Sequence, residues 1–188
     1  MKVASFKDNM LHESSLSRIH QHSTQSNIGM ITAFRGQYDI KTNENRNTSL
    51  VSDIRTAGFG FVMVTGYYVE NPGTKEERRV KEQSFLVISN GNDSGRLKAF
   101  LKTAGEKFDQ DSVLYKDSSS DDAILIGTAS GRWPGMNTEV KAGKWKPNAI
   151  GTYYTQMRGH RTFTFESVEV PEGLMSRAYR QKIQEGNS

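Results

Sequence analysis

The segment from residue 28 to residue 129 constrains the fold most, because short apolar runs alternate there with two stretches of helical spacing. The runs "IGMITAF", "FGFVMVTGYYVE", "QSFLVIS", "SVLYK" and "AILIGTA" are typical of strands, since each is short, apolar or alternating, and bounded by turn-forming residues. Pro72 and Gly73 mark a turn after the second run. The segment therefore predicts a sheet built from these runs.

Two amphipathic patterns lie between the strand-like runs. In "NTSLVSDIRTAG", Leu50 and Ile54 share one helical face, and Gly58 stands where helices commonly end. In "GRLKAFLKTAGEKF", apolar residues recur at helical spacing from Leu97 to Phe108. The order strand, helix, strand, strand, helix, strand, strand is that of the split β-α-β arrangement with one added strand. We therefore predict an α+β fold, with a mixed sheet, both helices on one face and a loop-rich C-terminal β extension.

Composition divides the 188 residues into three zones, which suit one domain with appended tails. Residues 1–27 are polar and are interpreted as an N-terminal arm. Residues 28–170 are interpreted as a single α+β domain, with its core at 28–129 and a basic, aromatic extension at 130–170. Residues 171–188 form a C-terminal helix or tail in this interpretation. No apolar run has the length of a membrane span, and the N-terminus lacks the apolar stretch of a signal peptide, so we expect no membrane association.

The residue types narrow the chemistry. The chain has no cysteine, which excludes disulfides, thiolate metal sites and cysteine nucleophiles. A serine or threonine nucleophile needs a neighbouring base, and His160 is the only histidine outside the N-terminal zone. No Gly-x-Ser-x-Gly motif accompanies it. We therefore assign no catalytic residue, expect no metal and no cofactor, and favour a protein that is not an enzyme.

The stretch "TAFRGQYDIKTNENRN" brings polar residues to the end of a predicted buried strand. Arg35 ends that strand and Arg46 lies at the beginning of the first helix, so the loop between them could bring both guanidinium groups together around an anion, with Asn43 beside them. The structural alternative is that Asn43, Asn45 and Asn47 turn the chain and cap the helix, and we favour it.

Three carboxylates form a second candidate set. Glu70 closes the second strand and Glu82 opens the third, so a hairpin would bring them near one another, and Asp111 could join them. Such a group can hold Mg²⁺ or act in acid–base chemistry, as in a metal-dependent nuclease-like hydrolase. The cations of "KEERRVKE" favour solvated salt bridges instead. The question left open is whether Arg35 and Arg46 face carboxylates or an open pocket.

The extension after Gly131 is basic and aromatic. Cations that neutralise phosphates beside rings that stack on bases are the residue types that single-stranded nucleic-acid binding requires. Tryptophan and tyrosine also anchor protein interfaces, which is the interpretation we favour, and a third interpretation is that they are buried simply to complete a small core. The candidate residues for either role are Trp133, Lys144, Trp145, Lys146, Tyr153, Arg158 and Arg161.

The segments "AFR", "NENRNTSLVSDIRTAGFGFVMVTGYYVE", "EQSFLVIS" and "LKAFLKTAGEKFDQDSVLYKD" occur in this order over about residues 28–117. In order and spacing they resemble a family of small proteins of bacteriophages and some bacteria, whose shared domain is one of unknown function. The resemblance implies a phage-related context and no reaction type.

These observations lead to one hypothesis and two alternatives. The favoured hypothesis is a non-enzymatic phage-related protein, either a minor virion component or a host-directed accessory factor, which acts by binding a phage assembly or host protein. It would be found in the host cytoplasm or in the virion. The alternatives are a single-stranded nucleic-acid-binding protein and a metal-dependent nuclease-like hydrolase.

Overall fold

The computed structural model describes residues 21–22, 24–70, 75, 78–91, 93–144, 146–147, 153–156 and 162–164. Most of the predicted N-terminal arm and the whole of the predicted C-terminal helix or tail lie outside the described residues. No helix in these ranges is both long and apolar enough to cross a membrane.

Strands and helices alternate as the sequence patterns predicted, and the predicted α+β class is confirmed. The elements are β1 (Ile28–Ile31), α1 (Ile40–Thr56), β2 (Gly60–Glu70), β3 (Arg78–Ile88), α2 (Arg96–Lys107), β4 (Ser112–Lys116), β5 (Asp122–Gly127), β6 (Glu139–Lys144), β7 (Lys146–Pro147), β8 (Tyr153–Gln156) and β9 (Thr162–Thr164).

The strands form one sheet in the order β6-β5-β4-β1-β3-β2-β8-β9-β7. Its centre, β4-β1-β3-β2, is the split β-α-β arrangement. The sheet was predicted to be mixed, but every described pairing is antiparallel. The reason lies in the connections between the strands. The crossover through α1 leaves one position free between β1 and β2. β3 then runs back through that position in the opposite direction, so it is antiparallel to both neighbours.

Both helices pack on one face of the sheet. Leu101 of α2 lies so close to β1 that a Cβ at Gly29 would overlap its side chain, so glycine is required at this contact. Full burial of a leucine or isoleucine stabilises the fold by about 1.5–3 kcal/mol. The buried residues of this layer include Leu50, Ile54, Phe85, Val87, Leu97 and Leu101.

The opposite face of the sheet is also apolar. Side chains alternate along β3, so Phe85 and Val87 face the helices while Leu86 and Ile88 face the other way. By the same alternation Glu82 lies on the face of Leu86. β6 and β7 are the two outermost strands of the sheet, yet only one residue separates the last residue of β6 from the first residue of β7. These two residues therefore lie within about 7 Å of each other. The sheet therefore curls, and its inner face carries the buried cluster Ile28, Val64, Leu86, Ile88 and Ala123.

Candidate functional site

Helix α1 begins earlier than the asparagines that were predicted to cap it. Its N-cap is Asp39, whose Oδ1 accepts a hydrogen bond from the Thr42 N–H at 2.6 Å. The hydrogen bonds from Thr42 hold the pKa of the Asp39 carboxyl below its ordinary value. Asn43 and Asn47 consequently lie inside the helix, on the face toward the sheet, with only 5% and 2% of their surface exposed. The capping interpretation of these two residues is wrong.

The Asn47 side chain lies where β1 and β3 separate. β1 pairs with β3 only from Ile28 to Ile31, which stands opposite Phe85. Beyond that point the Ala33 N–H donates to Asn47 Oδ1 at 2.9 Å, and Asn47 Nδ2 donates to the carbonyl of Gln83 at 3.1 Å. A side-chain amide thus takes the place of a direct bond between the strands. We name this separation the fork, with residues 32–35 on one side and residues 81–83 on the other.

Asn43 and Arg46 hold the outer side of the fork. Asn43 Oδ1 accepts from the Arg35 N–H at 2.9 Å, and Asn43 Nδ2 donates to the Arg35 carbonyl at 3.0 Å. Arg46 Nε donates to the Ala33 carbonyl at 2.7 Å, and Arg46 Nη2 donates to the Phe108 carbonyl at 2.6 Å. Both side chains therefore hold the backbone through hydrogen bonds. They do not form the anion site that the sequence suggested.

Arg35 faces carboxylates, not an open pocket. Its Nη1 donates to Asp111 Oδ1 at 2.8 Å, while its Nε lies 3.7 Å from Asp109 Oδ2 and has no hydrogen-bond partner among the described residues. Arg132 Nη1 lies 3.0 Å from one oxygen of each aspartate. The hydrogen bonds that Arg132 donates to the carboxylates of Asp111 and Asp109 raise the pKa of Arg132 above its ordinary value. Two cations and two anions balance, so this cluster offers no net charge to an anion.

The structure does not bring the three acidic candidates together. Glu82 pairs with Gly66 across the hairpin, four residues before Glu70, which is about 13 Å along the strand. Asp111 is held by Arg35 in the ion cluster. In the described part of the chain, no group of three or more histidine, cysteine or acidic side chains could hold a metal ion. The predicted carboxylate group therefore does not form, although Glu82 keeps a position on the inner face.

The basic and aromatic candidates do not share one described surface. Trp133, 41% exposed, follows Arg132 of the ion cluster. Lys144 stands opposite Asp122, the first residue of β5, which lies about 17 Å along that strand from its last residue, Gly127. Its Nζ donates to Asp121 Oδ2 at 3.3 Å. For the remaining candidates the structure gives only the backbone of Lys146 and Tyr153, while Trp145, Arg158 and Arg161 lie outside the described residues.

Sequence reasoning missed three features of this region: the inward-facing Asn47, the ion partners of Arg35, and Gly66 opposite Glu82. A signal for the first was present, because positions 43, 47, 50 and 54 have the spacing of one helical face. The ion partners and the strand register gave no such signal, since they join residues far apart in the chain.

Comparison with known proteins gives a family. A family model described as the S-adenosylmethionine lyase family matches residues 29–167. The comparison with curated proteins gave no match. Among solved structures, one similar chain is a phage S-adenosylmethionine lyase in complex with S-methyl-5′-thioadenosine. It is 19% identical, with 62% of this chain and 88% of that chain covered and a TM-score of 0.33.

The family match corrects several interpretations from the sequence. The resemblance to a family of unknown function is wrong, because the matched family is named for a reaction. The hypothesis of a non-enzymatic virion component or accessory factor is wrong for the same reason, as are protein binding and nucleic-acid binding as the function. The predicted protein partner stays a prediction. The match begins within β1 and extends past β9, well over half of the sequence, and the chain belongs to the S-adenosylmethionine lyase family.

Proposed function

We propose that this protein is a lyase that breaks the bond between sulfur and the Cγ carbon of the methionine portion of S-adenosylmethionine. The observation that carries the proposal is the family match over residues 29–167, which includes the fork, both helices and all strands after the first residue of β1. The proposal places the protein in the host cytoplasm, one of the two locations expected from the sequence, because its substrate is a small metabolite.

The chemistry of the substrate defines what such a site must do. The sulfonium carries a full positive charge, and when the bond breaks its electron pair stays on sulfur, giving neutral methylthioadenosine. As the sulfur leaves, Cγ either bonds to the fragment's own carboxylate oxygen, which closes a lactone, or forms a double bond to Cβ while a base takes the Cβ proton, and neither course uses water. A sulfonium is already a good leaving group, so the protein has to hold, orient and shield the substrate.

We propose Glu82 as the carboxylate that contacts the positively charged part of the substrate. It is half-buried and lies on the inner face of the sheet, opposite Gly66. A Cβ at Gly66 would stand 3.1 Å from Ser84 Oγ, so glycine avoids a close contact at this point of the sheet. A partly buried carboxylate attracts a cation more strongly than one in open water, because the local dielectric constant is lower.

The direct test is to incubate the purified protein with S-adenosylmethionine in ¹⁸O-labelled water and to identify both products by mass spectrometry. We expect methylthioadenosine together with a four-carbon product that contains no ¹⁸O. Absence of methylthioadenosine would contradict the proposal. Homoserine carrying ¹⁸O in its γ-hydroxyl would show a hydrolase in place of a lyase, whereas later hydrolysis of a lactone product places the label in the carboxylate.

Replacement of Glu82 by glutamine tests its role while preserving its size. Since hydrogen bonds to charged groups contribute about 1.5–3 kcal/mol, we expect kcat/KM to fall about 10- to 100-fold. The matched control is Glu139→Gln, which removes a half-exposed carboxylate paired with Lys98 at 2.7 Å. The control should stay within about twofold of the unaltered protein, because a surface ion pair contributes little. Equal effects of the two substitutions on kcat/KM would contradict the assignment of Glu82 to the site.

A further inference from the structure

The fork exposes an edge of β3. The Gln83 carbonyl points toward the β1 side, since it accepts hydrogen bonds from Thr32 Oγ1 at 2.8 Å and from Asn47 Nδ2 at 3.1 Å. In an antiparallel strand the N–H and C=O of one residue point the same way, and successive residues alternate. The Gln83 N–H and the C=O of Lys81 therefore point into the fork. Within the described ranges no strand pairs with this side of β3 beyond Phe85.

This edge is kept open by α1. The Ala33 N–H and C=O, which would continue the ladder to Gln83, are bonded to Asn47 Oδ1 and Arg46 Nε. Both backbone groups of Arg35 are bonded to Asn43. The backbone N–H and C=O groups of residues 33 and 35 are thus hydrogen-bonded to side chains of α1 and do not pair with β3. The side chains of Asn43, Arg46 and Asn47 thus hold the fork open, and both asparagines are almost fully buried.

The open edge has a definite hydrogen-bonding pattern. It presents the Lys81 carbonyl as an acceptor and, next to it, the Gln83 N–H as a donor, and both residues are exposed. Adenine carries the complementary pattern on its pairing edge, with the N6 amino donor beside the N1 acceptor. Glu82 is the residue between the two backbone groups, so a base bound here would bring the sulfonium to the same part of the sheet.

We infer that the edge of β3 at Lys81 and Gln83 is the adenine subsite, where the backbone reads N6 and N1 of the nucleobase. This inference rests on the proposed function and names how that function recognises its substrate. It assigns the paired asparagines of α1 the role of positioning residues, because they hold the fork apart without contacting the reacting atoms.

Binding of nucleosides tests the subsite, with isothermal titration calorimetry on the full chain. Methylthioadenosine is the reference ligand. Methylthioinosine has an oxygen at position 6 and a hydrogen on N1, so both hydrogen bonds are reversed, and we expect it to bind at least about 10-fold more weakly. The 7-deaza analogue of methylthioadenosine changes the other edge of the base and should bind within about threefold of the reference. Equal binding of the inosine analogue, or no binding of any of them, would overturn the inference.

A pair of variants tests the donor. Gln83→Pro removes the N–H that points into the fork and leaves the ladder to β2 intact, because that N–H points away from β2. Gln83→Ala loses the same side chain but keeps the N–H. We expect the proline variant alone to lose at least about 10-fold in affinity for methylthioadenosine. Equal affinities of the two variants would overturn the inference. Should the proline variant fail to fold by circular dichroism, the nucleoside series decides the question.

The two proposals can fail separately. Cleavage of S-adenosylmethionine without discrimination between adenine and hypoxanthine would overturn the subsite and leave the lyase proposal standing. Selective binding of methylthioadenosine without any cleavage would overturn the lyase proposal and support the subsite.

Discussion

Helices α1 and α2 lie on the same face of the sheet but are attached to it in different ways. α2 is held by apolar side chains, with Leu97 and Leu101 fully buried. α1 uses apolar contacts only in its second half, at Leu50 and Ile54. Its first half is joined by side-chain hydrogen bonds to the backbone that follows β1 and to β3: Asn43 accepts from the Arg35 N–H, Arg46 donates to the Ala33 carbonyl, and Asn47 donates to the Gln83 carbonyl.

The difference separates stabilising the fold from shaping a site. Apolar contacts are non-directional, so α2 can cover whichever strands lie beneath it. Side-chain amides are directional and choose particular backbone partners, so Asn43 and Asn47 fix the path of residues 32–35. α2 therefore contributes mainly to stability, whereas the first half of α1 determines where β1 leaves β3.

The largest effect is expected when the apolar contacts between α2 and the sheet are weakened. Leu101→Ala should lower the free energy of unfolding by about 2–5 kcal/mol, because it removes a fully buried side chain and leaves a cavity against β1. Urea denaturation measures this loss. Activity per folded molecule should change by less than about twofold, since surrounding cores relax only partly around such a cavity. A loss below about 1 kcal/mol would mean that α2 does not anchor the fold as described.

An intermediate effect is expected when the hydrogen bonds from the first half of α1 are removed. Asn47→Leu removes the bonds to the Ala33 N–H and the Gln83 carbonyl. The carbonyl keeps its bond from Thr32 Oγ1, but the buried Ala33 N–H is left without a partner, which costs about 1–3 kcal/mol. Because the fork loses its spacer, we also expect KM for S-adenosylmethionine to rise about 10-fold. Urea denaturation and steady-state kinetics measure the two effects.

The matched control for this variant is Asn45→Leu, the same substitution at an exposed position of α1. It should change stability by less than about 0.5 kcal/mol and leave KM unaltered. A rise in KM for both variants would show that the helix surface in general, and not the fork, affects binding.

The smallest effect is expected for the ion cluster of Arg35, Arg132, Asp109 and Asp111. It tests whether exposed ion pairs stabilise the fold less than the buried hydrogen bonds of α1 do. Arg132→Gln should lower the free energy of unfolding by less than about 1 kcal/mol, because the cluster is near the surface and Arg35 still bonds Asp111. Urea denaturation should show an even smaller difference at high salt, where exposed charges are screened. A loss above about 2 kcal/mol would mean that the cluster is a structural anchor comparable to Asn47.

Much of the fold could be predicted because its signals are local. The alternating runs and the helical spacing from Leu97 to Phe108 are visible within a few residues, and they identify the strands and helices of the α+β fold. The split β-α-β order follows from the same runs. The direction of the pairings was not local, since it depends on where each crossover places the next strand.

The site was harder to predict for two physical reasons. Asparagine is favoured at helix caps, which masked the fact that Asn43 and Asn47 share a face with Leu50 and Ile54. The register that sets Glu82 opposite Gly66 depends on the turn between β2 and β3, so the sequence alone paired it with Glu70. The lyase family was missed because the proposed cleavage at a sulfonium requires no nucleophile or metal motif that a sequence would display.

The most direct test is the structure of the protein bound to methylthioadenosine, because it shows at once whether the nucleoside binds and where. We expect the purine N1 within hydrogen-bond distance of the Gln83 N–H, its N6 amino group at the Lys81 carbonyl, and the thioether on the side of Glu82. A nucleoside bound outside the fork, away from β3, would contradict the assignment of this region as the active site.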